Sequence, residues 1–217
     1  MELDKELLKF DKNILKNANI EKQDENFNKL MFIYSSALKE LEVKINVMKE
    51  HFNYFYDYNL INNVKTRIKE PNSIINKMKK KNCELTYQNM IENINDVAGI
   101  RIVCPLKQDI FIVKEMIKSF PNCTVVKEKD YITKPKKSGY SSYHMIVECP
   151  VNFGQTIIPV KVEIQICTMA MDFWANLEHE LKYKPSKKVN GKVSKDLIAC
   201  AQLVNKLDDK MMRIYNT

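Results

Sequence analysis

Alternating apolar and polar residues mark the strands of this chain, and the clearest case is the run 160–166. Val160, Val162, Ile164 and Ile166 alternate with Lys161, Glu163 and Gln165. Strand side chains point to opposite faces in turn, so the apolar set buries while the polar set lines one open surface. Similar runs predict strands at 100–104, 123–128, 142–149 and 157–166. Helical spacing predicts helices over 4–20 and 27–50; in the second, Phe27, Leu30, Met31, Tyr34, Leu38, Leu41, Ile45 and Met48 recur. The aromatic stretch 51–62 reads as a turn and a short helix. Further helices are predicted at 74–81, with Asn72 or Ser73 near the N-terminus, at 87–94 and at 108–119. Thr168 can cap a helix running to about Tyr183. There Phe173, Trp174, Leu177 and Leu181 form an apolar stripe, and Asp172, Ala175, His179 and Lys182 share another face. Residues 185–193 read as a polar loop. Ser194 then opens a last helix with the stripe Leu197, Cys200, Ala201, Val204, Leu207, Met211 and Ile214. The order predicts an α+β domain: N-terminal helices over about 1–54, a mixed β/α core over 55–185 and a C-terminal helix over 194–217.

The length of 217 residues suits one domain with helical extensions. No apolar run approaches the ~20 residues that span a bilayer, and the N-terminus lacks the basic-then-apolar order of a signal peptide. A cytoplasmic protein with no membrane partner is expected. Of the six cysteines, Cys104, Cys149 and Cys167 lie in or beside apolar runs and none forms a C-x-x-C pair. Free thiols fit them better than zinc or disulfides. The formal net charge of +8 suits nucleic acid, anionic membrane or polyphosphate ligands, and does not choose among them. Basic residues concentrate at 65–81 and 127–137. A solvated charged face is the default explanation of either cluster.

Three constellations carry candidate chemistry. Lys69, Ser73 and Lys77 step by four residues around Pro71, and a helix N-terminus with lysines and a hydroxyl can seat polyphosphate. Arg67 beside them offers a planar guanidinium for stacking on a base. Asp96, just ahead of one strand, and Glu163, within another, are two carboxylates suited to Mg²⁺, a hard ion held by one or two carboxylates plus substrate phosphates. A turn or cap role is the common alternative for an Asp at such a place. The basic loop 129–144 contributes Lys129, Lys134 and Lys136 for phosphates, Tyr140 for stacking, and Gly139 for a sharp turn. His144 shares a strand face with Ile146 and Glu148.

Together these motifs are far more specific than apart. Arg-x-Lys at 67–69, Asp-x-Ala-Gly-Ile-Arg at 96–101, Asp-Tyr-Ile at 130–132, Lys-x-Ser-Gly-Tyr-x-Ser-Tyr-His at 136–144, Val-Glu-Ile-Gln-Ile at 162–166 and Ala-Met-Asp-Phe-Trp-Ala-x-Leu-Glu-His at 170–179 fall in one order. The set resembles the RelA/SpoT family of alarmone synthetases, in its small single-domain RelQ type, over about residues 55–185. The resemblance implies a mixed sheet of nucleotidyltransferase-like type wrapped by helices. It implies transfer of the β,γ-pyrophosphate of ATP to the 3′-hydroxyl of GDP or GTP, with GMP a further acceptor, to make ppGpp or pppGpp in the stringent response. By the same resemblance Arg67 and Arg101 sandwich adenine, and Lys69, Ser73 and Lys77 hold the ATP phosphates. Asp96 and Glu163 bind Mg²⁺, with Glu163 also the base for the 3′-hydroxyl. Tyr140 stacks on guanine and Asp172 meets its edge. Lys129, Lys136, His144 and Gln165 approach the acceptor phosphates or the transferring group. A homotetramer is implied, with an allosteric alarmone or single-stranded RNA site in some relatives. Synthesis without hydrolysis is expected, because no His-Asp pair stands in the chain. Two departures bear on the acceptor: Cys167 and Ser141 stand where many relatives carry Arg, or Arg or Gln. A basic RNA-binding module and another Mg²⁺-dependent nucleotidyltransferase are the alternatives.

Overall fold

The strand read from 160–166 is the central member of a five-stranded mixed sheet whose strands lie in the order Asn63–Ile68, Ala98–Cys104, Thr156–Thr168, Tyr143–Phe153 and Thr124–Asp130. The computed structural model describes residues 20, 25–153, 156–183 and 191–217. The elements are α1 (Glu25–Tyr56), β1 (Asn63–Ile68), α2 (Pro71–Lys80), α3 (Tyr87–Asn93), β2 (Ala98–Cys104), α4 (Lys107–Lys118), β3 (Thr124–Asp130), β4 (Tyr143–Phe153), β5 (Thr156–Thr168), α5 (Met169–Tyr183) and α6 (Gly191–Tyr215). Only β2 and β5 run parallel; the other neighbours are antiparallel. The α+β class and the mixed sheet with flanking helices are as predicted.

One sheet face is the core. Ala98, Ile100 and Ile102 of β2, Met145 and Val147 of β4, and Val160, Val162, Ile164 and Ile166 of β5 are buried in one cluster with Phe27, Leu30, Tyr34, Leu41, Ile45 and Met48 of α1. Fully burying each such aliphatic side chain is worth about 1.5–3 kcal/mol, so this seam between α1 and the sheet dominates stability. Burying the apolar set leaves the alternate positions on the other face, which is where the polar residues of β2, β4 and β5 collect.

Several readings need correction. The predicted helix 4–20 lies outside the described residues, apart from Ile20. Helix α1 does not stop at 50 but runs to Tyr56, because His51 stacks on Phe55 at 4.7 Å and Phe52 on Tyr56 at 5.1 Å, each four residues on. Asp57 then breaks the helix with φ of 47°. Strand β1 was not expected. Helix α2 starts at Pro71, ahead of the predicted Ile74, with Glu70 in the N-cap place and no side-chain cap; Asn72 and Ser73 stand in its first turn, near the N-terminus as expected. Part of the predicted polar loop, 191–193, is the first turn of α6; residues 184–190 lie outside the described set. On α5 the buried apolar positions are Met171 and Trp174, while Phe173 and Leu177 are exposed. The reason is α6: Trp174 Nε1 donates to the Leu197 carbonyl at 2.9 Å, which turns the neighbouring Phe173 outward. Thr168 does cap α5, its Oγ1 accepting from the Met171 amide at 3.1 Å.

Candidate active site

The open face of the sheet carries two rows of side chains that cross all five strands. Register places Lys65 opposite Arg101, Arg101 opposite Gln165, Gln165 opposite His144 and His144 opposite Lys129. The adjacent row is Arg67, Gly99, Glu163, Ile146 and Lys127. Residues spread over a hundred positions of sequence therefore lie on one surface. Arg67 lies over Gly99 of β2: a Cβ there would stand 3.6 Å from Arg67 Cγ and Nε, an ordinary contact distance.

Glu163 sits in the middle of this surface and is gripped on both oxygens. Gln165 Nε2 donates to Oε2 at 2.8 Å, and His144 Nδ1 lies 3.3 Å from Oε1. An ionised carboxylate only accepts, so Nδ1 carries the ring proton and His144 Nε2, 2.9 Å from the Tyr140 hydroxyl, accepts from it in the neutral ring. Burial pushes the Glu163 carboxyl up, but His144 and Gln165 outweigh it and hold it below the usual carboxylate range. Glu163 is therefore a carboxylate at neutral pH.

Asp96 stands beside this group, close enough that its charge raises the Glu163 carboxyl. The amide of Lys69 donates to the Val97 carbonyl at 2.8 Å, which joins the start of α2 to the residue after Asp96. Lys69 Nζ and Lys77 Nζ both reach Asp96 Oδ2, at 3.0 and 2.6 Å. Burial again works against the charge, and the two lysines outweigh it, holding Asp96 below its ordinary value. The other oxygen, Oδ1, is buried with no hydrogen-bond partner. A charged oxygen left so is costly, and it is the kind of atom a cation completes. Among the described residues no group of three or more His, Cys, Asp or Glu gathers for a metal. A hard ion that takes one or two carboxylates and draws its remaining ligands from phosphates and water does not need one.

A cleft of about 330 Å³ opens on the β1 side of this surface, lined among others by Arg67, Arg101, Tyr140, Gln165 and His179. Asp172, on the first turn of α5, pairs with two residues that line it, Lys65 and Arg101, each at 2.9 Å. Arg101 also donates to Gln165 at 3.1 Å and to Asn176 at 3.3 Å. Burial raises the Asp172 carboxyl, and Lys65 and Arg101 more than reverse that. Lys136 Nζ lies 4.6 Å from the Tyr140 ring centre and 4.7 Å from that of Tyr131, a cation held on two aromatic faces.

The sequence-predicted residues thus fall into connected groups. Asp96, Lys69 and Lys77 form one; Glu163, Gln165, His144, Tyr140 and Lys136 a second; Arg101 and Asp172 a third, joined to the second through Gln165. Arg67 lines the same cleft. Ser73 is exposed on α2, and Lys129 is exposed on edge strand β3 opposite His144; among the described residues no side-chain hydrogen bond or ion pair ties either to these groups. Sequence reading missed Lys65 and Asn176. Lys65 had a signal: it alternates with Val64 and Thr66, two positions before Arg67, but without a strand at 63–68 the two cations had no shared face. Asn176 had none beyond its place one helical turn after Asp172.

The family described as "Region found in RelA / SpoT proteins" matches residues 66–188. GTP pyrophosphokinase YwaC of Bacillus subtilis is 40% identical over 190 residues, covering 88% of this chain and 90% of the relative. GTP pyrophosphokinase YjbM of the same organism is 38% identical over 191 residues, covering 88% and 89%. Among solved structures, small alarmone synthetase 1 from Bacillus subtilis, bound to its product pppGpp, superposes with a TM-score of 0.82 at 37% identity, covering 89% of this chain and 98% of that one.

Proposed function

The chain belongs to the RelA/SpoT family, and from that premise we propose that it is an alarmone synthetase, a GTP pyrophosphokinase that moves the β,γ-pyrophosphate of ATP to the 3′-hydroxyl of GDP or GTP and makes ppGpp or pppGpp. The observation that carries the reading is the ionised Glu163, held by His144 and Gln165 beside the lysine-bound Asp96. A ribose hydroxyl is a poor nucleophile until its proton leaves, and Glu163 is the carboxylate placed to accept it. Lys69 and Lys77, with Ser73 on the same helix, seat the donor polyphosphate. Arg67 and Arg101 flank the cleft where adenine stacks. Tyr140, on the loop that ends at β4, offers its ring to guanine, and Asp172 offers a carboxylate to the guanine edge. Lys129 and Lys136 supply positive charge to the acceptor phosphates, and His144, which holds Glu163, approaches the transferring group. Two nucleotides bring many negative charges together, and fixed cations in a partly desolvated cleft offset that repulsion without reorganising.

Mg²⁺ fits the residues present. Asp96, with its unpartnered buried oxygen, and Glu163 would hold the ion together with substrate phosphates. When bound it neutralises charge that develops on the transferring group. The test is product formation. Purified protein with Mg²⁺ and γ-labelled ATP is offered GMP, GDP and GTP separately, and the products are resolved by anion exchange. A labelled guanosine 3′-pyrophosphate is the expected result, and the best acceptor reports how Cys167 and Ser141 shape the acceptor pocket. Label transferred elsewhere would point to a different nucleotidyltransferase. No transfer, with RNA retained on the protein, would favour a binding module.

A homotetramer is part of the same proposal, with the cleft between subunits as the place for an allosteric alarmone or single-stranded RNA. Its support is apolar surface left on one domain. Leu203, Leu207, Met211, Ile214 and Tyr215 of α6 are exposed, as are Tyr54, Phe55 and Tyr56 at the end of α1, and Tyr215 meets Tyr58 with ring centres 5.8 Å apart. Only Leu197 and Ala201 of the predicted α6 stripe are buried, and Cys200 is exposed. Light scattering behind size-exclusion chromatography should give four times the 25.5 kDa chain mass. Leu207→Asp should shift that mass down, since a charge in an apolar interface is strongly opposed. A monomeric parent protein would overturn the assembly. Among the described residues no helix is long and apolar enough to cross a membrane; a cytoplasmic location remains part of the proposal.

A further inference from the structure

Cys123 precedes edge strand β3, at the end of the sheet away from Lys129 and His144. The β3–β4 ladder opens with Thr124 opposite Glu148, and one more step of that register sets Cys123 opposite Cys149. Directly opposed residues of an antiparallel pair have Cα atoms about 4.5–5.5 Å apart, inside the range that a disulfide spans. The two Sγ atoms are 2.7 Å apart, and both are free thiols. Lys44 of α1 brings its Nζ to 3.5 Å from Cys123 Sγ, anchored by the Pro121 carbonyl at 3.4 Å. Cys123 is half-buried, whereas Cys149 is enclosed in the core. The pair thus has one half-buried sulfur beside a cation and a second, shielded sulfur in contact with it. None of the nucleotide-site residues takes part.

We propose that Cys123 and Cys149 are an oxidation site, which a hydroperoxide closes into a cross-strand disulfide. The Cys123 thiolate attacks one oxygen of hydrogen peroxide and the O–O bond breaks. The departing hydroxide takes up a proton as water, leaving Cys123 as a sulfenic acid. Cys149 then attacks that sulfur, the S–O bond breaks, and the hydroxyl leaves with the Cys149 proton as a second water. Two thiols and one peroxide give one disulfide and two waters. The order follows from position. The half-buried sulfur of Cys123 meets the oxidant because its partner is enclosed in the core, and the Lys44 ammonium beside it offsets the charge of the departing hydroxide. Burial, together with the contact to Cys123, pushes the Cys149 thiol up, so it serves as the resolving partner. The bond pins the start of β3, an edge strand, to β4, in the ladder that also holds the Lys129–His144 pair.

The test uses the reduced full chain. It is treated with an equimolar amount of hydrogen peroxide, alkylated, digested and mapped by mass spectrometry. A cross-linked peptide pair containing Cys123 and Cys149, two hydrogens lighter than the two thiol peptides, is expected to form ahead of any change at the exposed Cys200. In Cys149→Ser, which lacks the resolving sulfur, Cys123 should accumulate as a sulfenic acid captured by dimedone. Lys44→Met should slow closure severalfold. Recovery of both peptides as alkylated thiols while Cys200 is oxidised would overturn the proposal. Pairing of Cys123 with a cysteine other than Cys149 would do the same. The peptide map of the parent protein decides the matter even where a variant folds poorly.

Discussion

Glu163→Gln is expected to lower turnover by about 10²–10⁴-fold, the usual contribution of a positioned base, which is about 2.7–5.4 kcal/mol of transition-state stabilisation. Nucleotide binding should change little. Gln matches Glu in size, and residue 163 sits on the open face of central strand β5, so the apolar side of the sheet is untouched. The substitution removes a negative charge and a lone pair that can take a proton. It leaves the cleft that binds the nucleotides in place. Single-turnover formation of product, set against equilibrium binding of each nucleotide, separates the two effects. The pH profile adds a sign. His144 and Gln165 hold the Glu163 carboxyl below the usual range against the opposing effect of burial. The base is therefore present at neutral pH, and the acidic fall in rate should lie below the ordinary glutamate value of about 4.3. Asp96 and Asp172 are also held low by their lysine and arginine partners. Their contribution to stability is present above the unfolded Asp value and lost only as pH falls through the lowered ones, so the fold persists while the neutral-side profile is measured. In Glu163→Gln the residual rate should lose the limb that belongs to this carboxylate. Product formed at the parental rate would remove Glu163 from the role of base.

Much of this site was legible because strands write their faces into the sequence. The alternation at 160–166 by itself puts Lys161, Glu163 and Gln165 on one surface, and β5 buries Val160, Val162, Ile164 and Ile166 as that pattern requires. The Asp96 motif was legible as a turn ahead of a strand. Less local facts were not. The ion pair between Arg101 and Asp172 joins residues 71 apart in sequence, and nothing in either neighbourhood announces the other. Strand β1 is short, lies at a sheet edge and is mostly exposed, so its alternation of Val64, Thr66 and Ile68 carries little apolar contrast. Helix α5 has two apolar arcs; which one buries is decided by where α6 lies, not by spacing. The end of α1 consists of residues with modest helix propensity, and ring stacking along one face extends the helix past the point where composition suggests a stop.

Gly139→Ala is expected to destabilise the protein by about 2–3 kcal/mol, combining backbone strain with overpacking, and to lower the thermal midpoint by roughly 4–12 °C. Gly139 adopts φ of +93°, a conformation that residues with a Cβ rarely take, and its amide donates to the Lys136 carbonyl at 2.8 Å to close the turn. The turn is also wedged against a helix. A Cβ at 139 would stand 2.5 Å from Ala201 Cβ, 3.6 Å from Trp174 Cζ2 and 3.7 Å from Ile198 Cα. An alanine methyl cannot swing aside, so either α6 or the loop must move. The loop carries Tyr140, whose hydroxyl meets His144 and whose ring lies under Lys136. The Michaelis constant for the guanine nucleotide should accordingly rise more than that for ATP. Two causes are mixed in this variant, and a second substitution separates them. Ala201→Gly costs about 1 kcal/mol by itself, as Gly does inside a helix, but it opens the space that the new methyl needs. If the clash matters, the double variant is more stable than the sum of the single ones predicts, with a coupling of about 0.5–3 kcal/mol. Strict additivity would assign the whole loss to the positive φ and would mean that the loop and α6 are not packed as closely as these distances require.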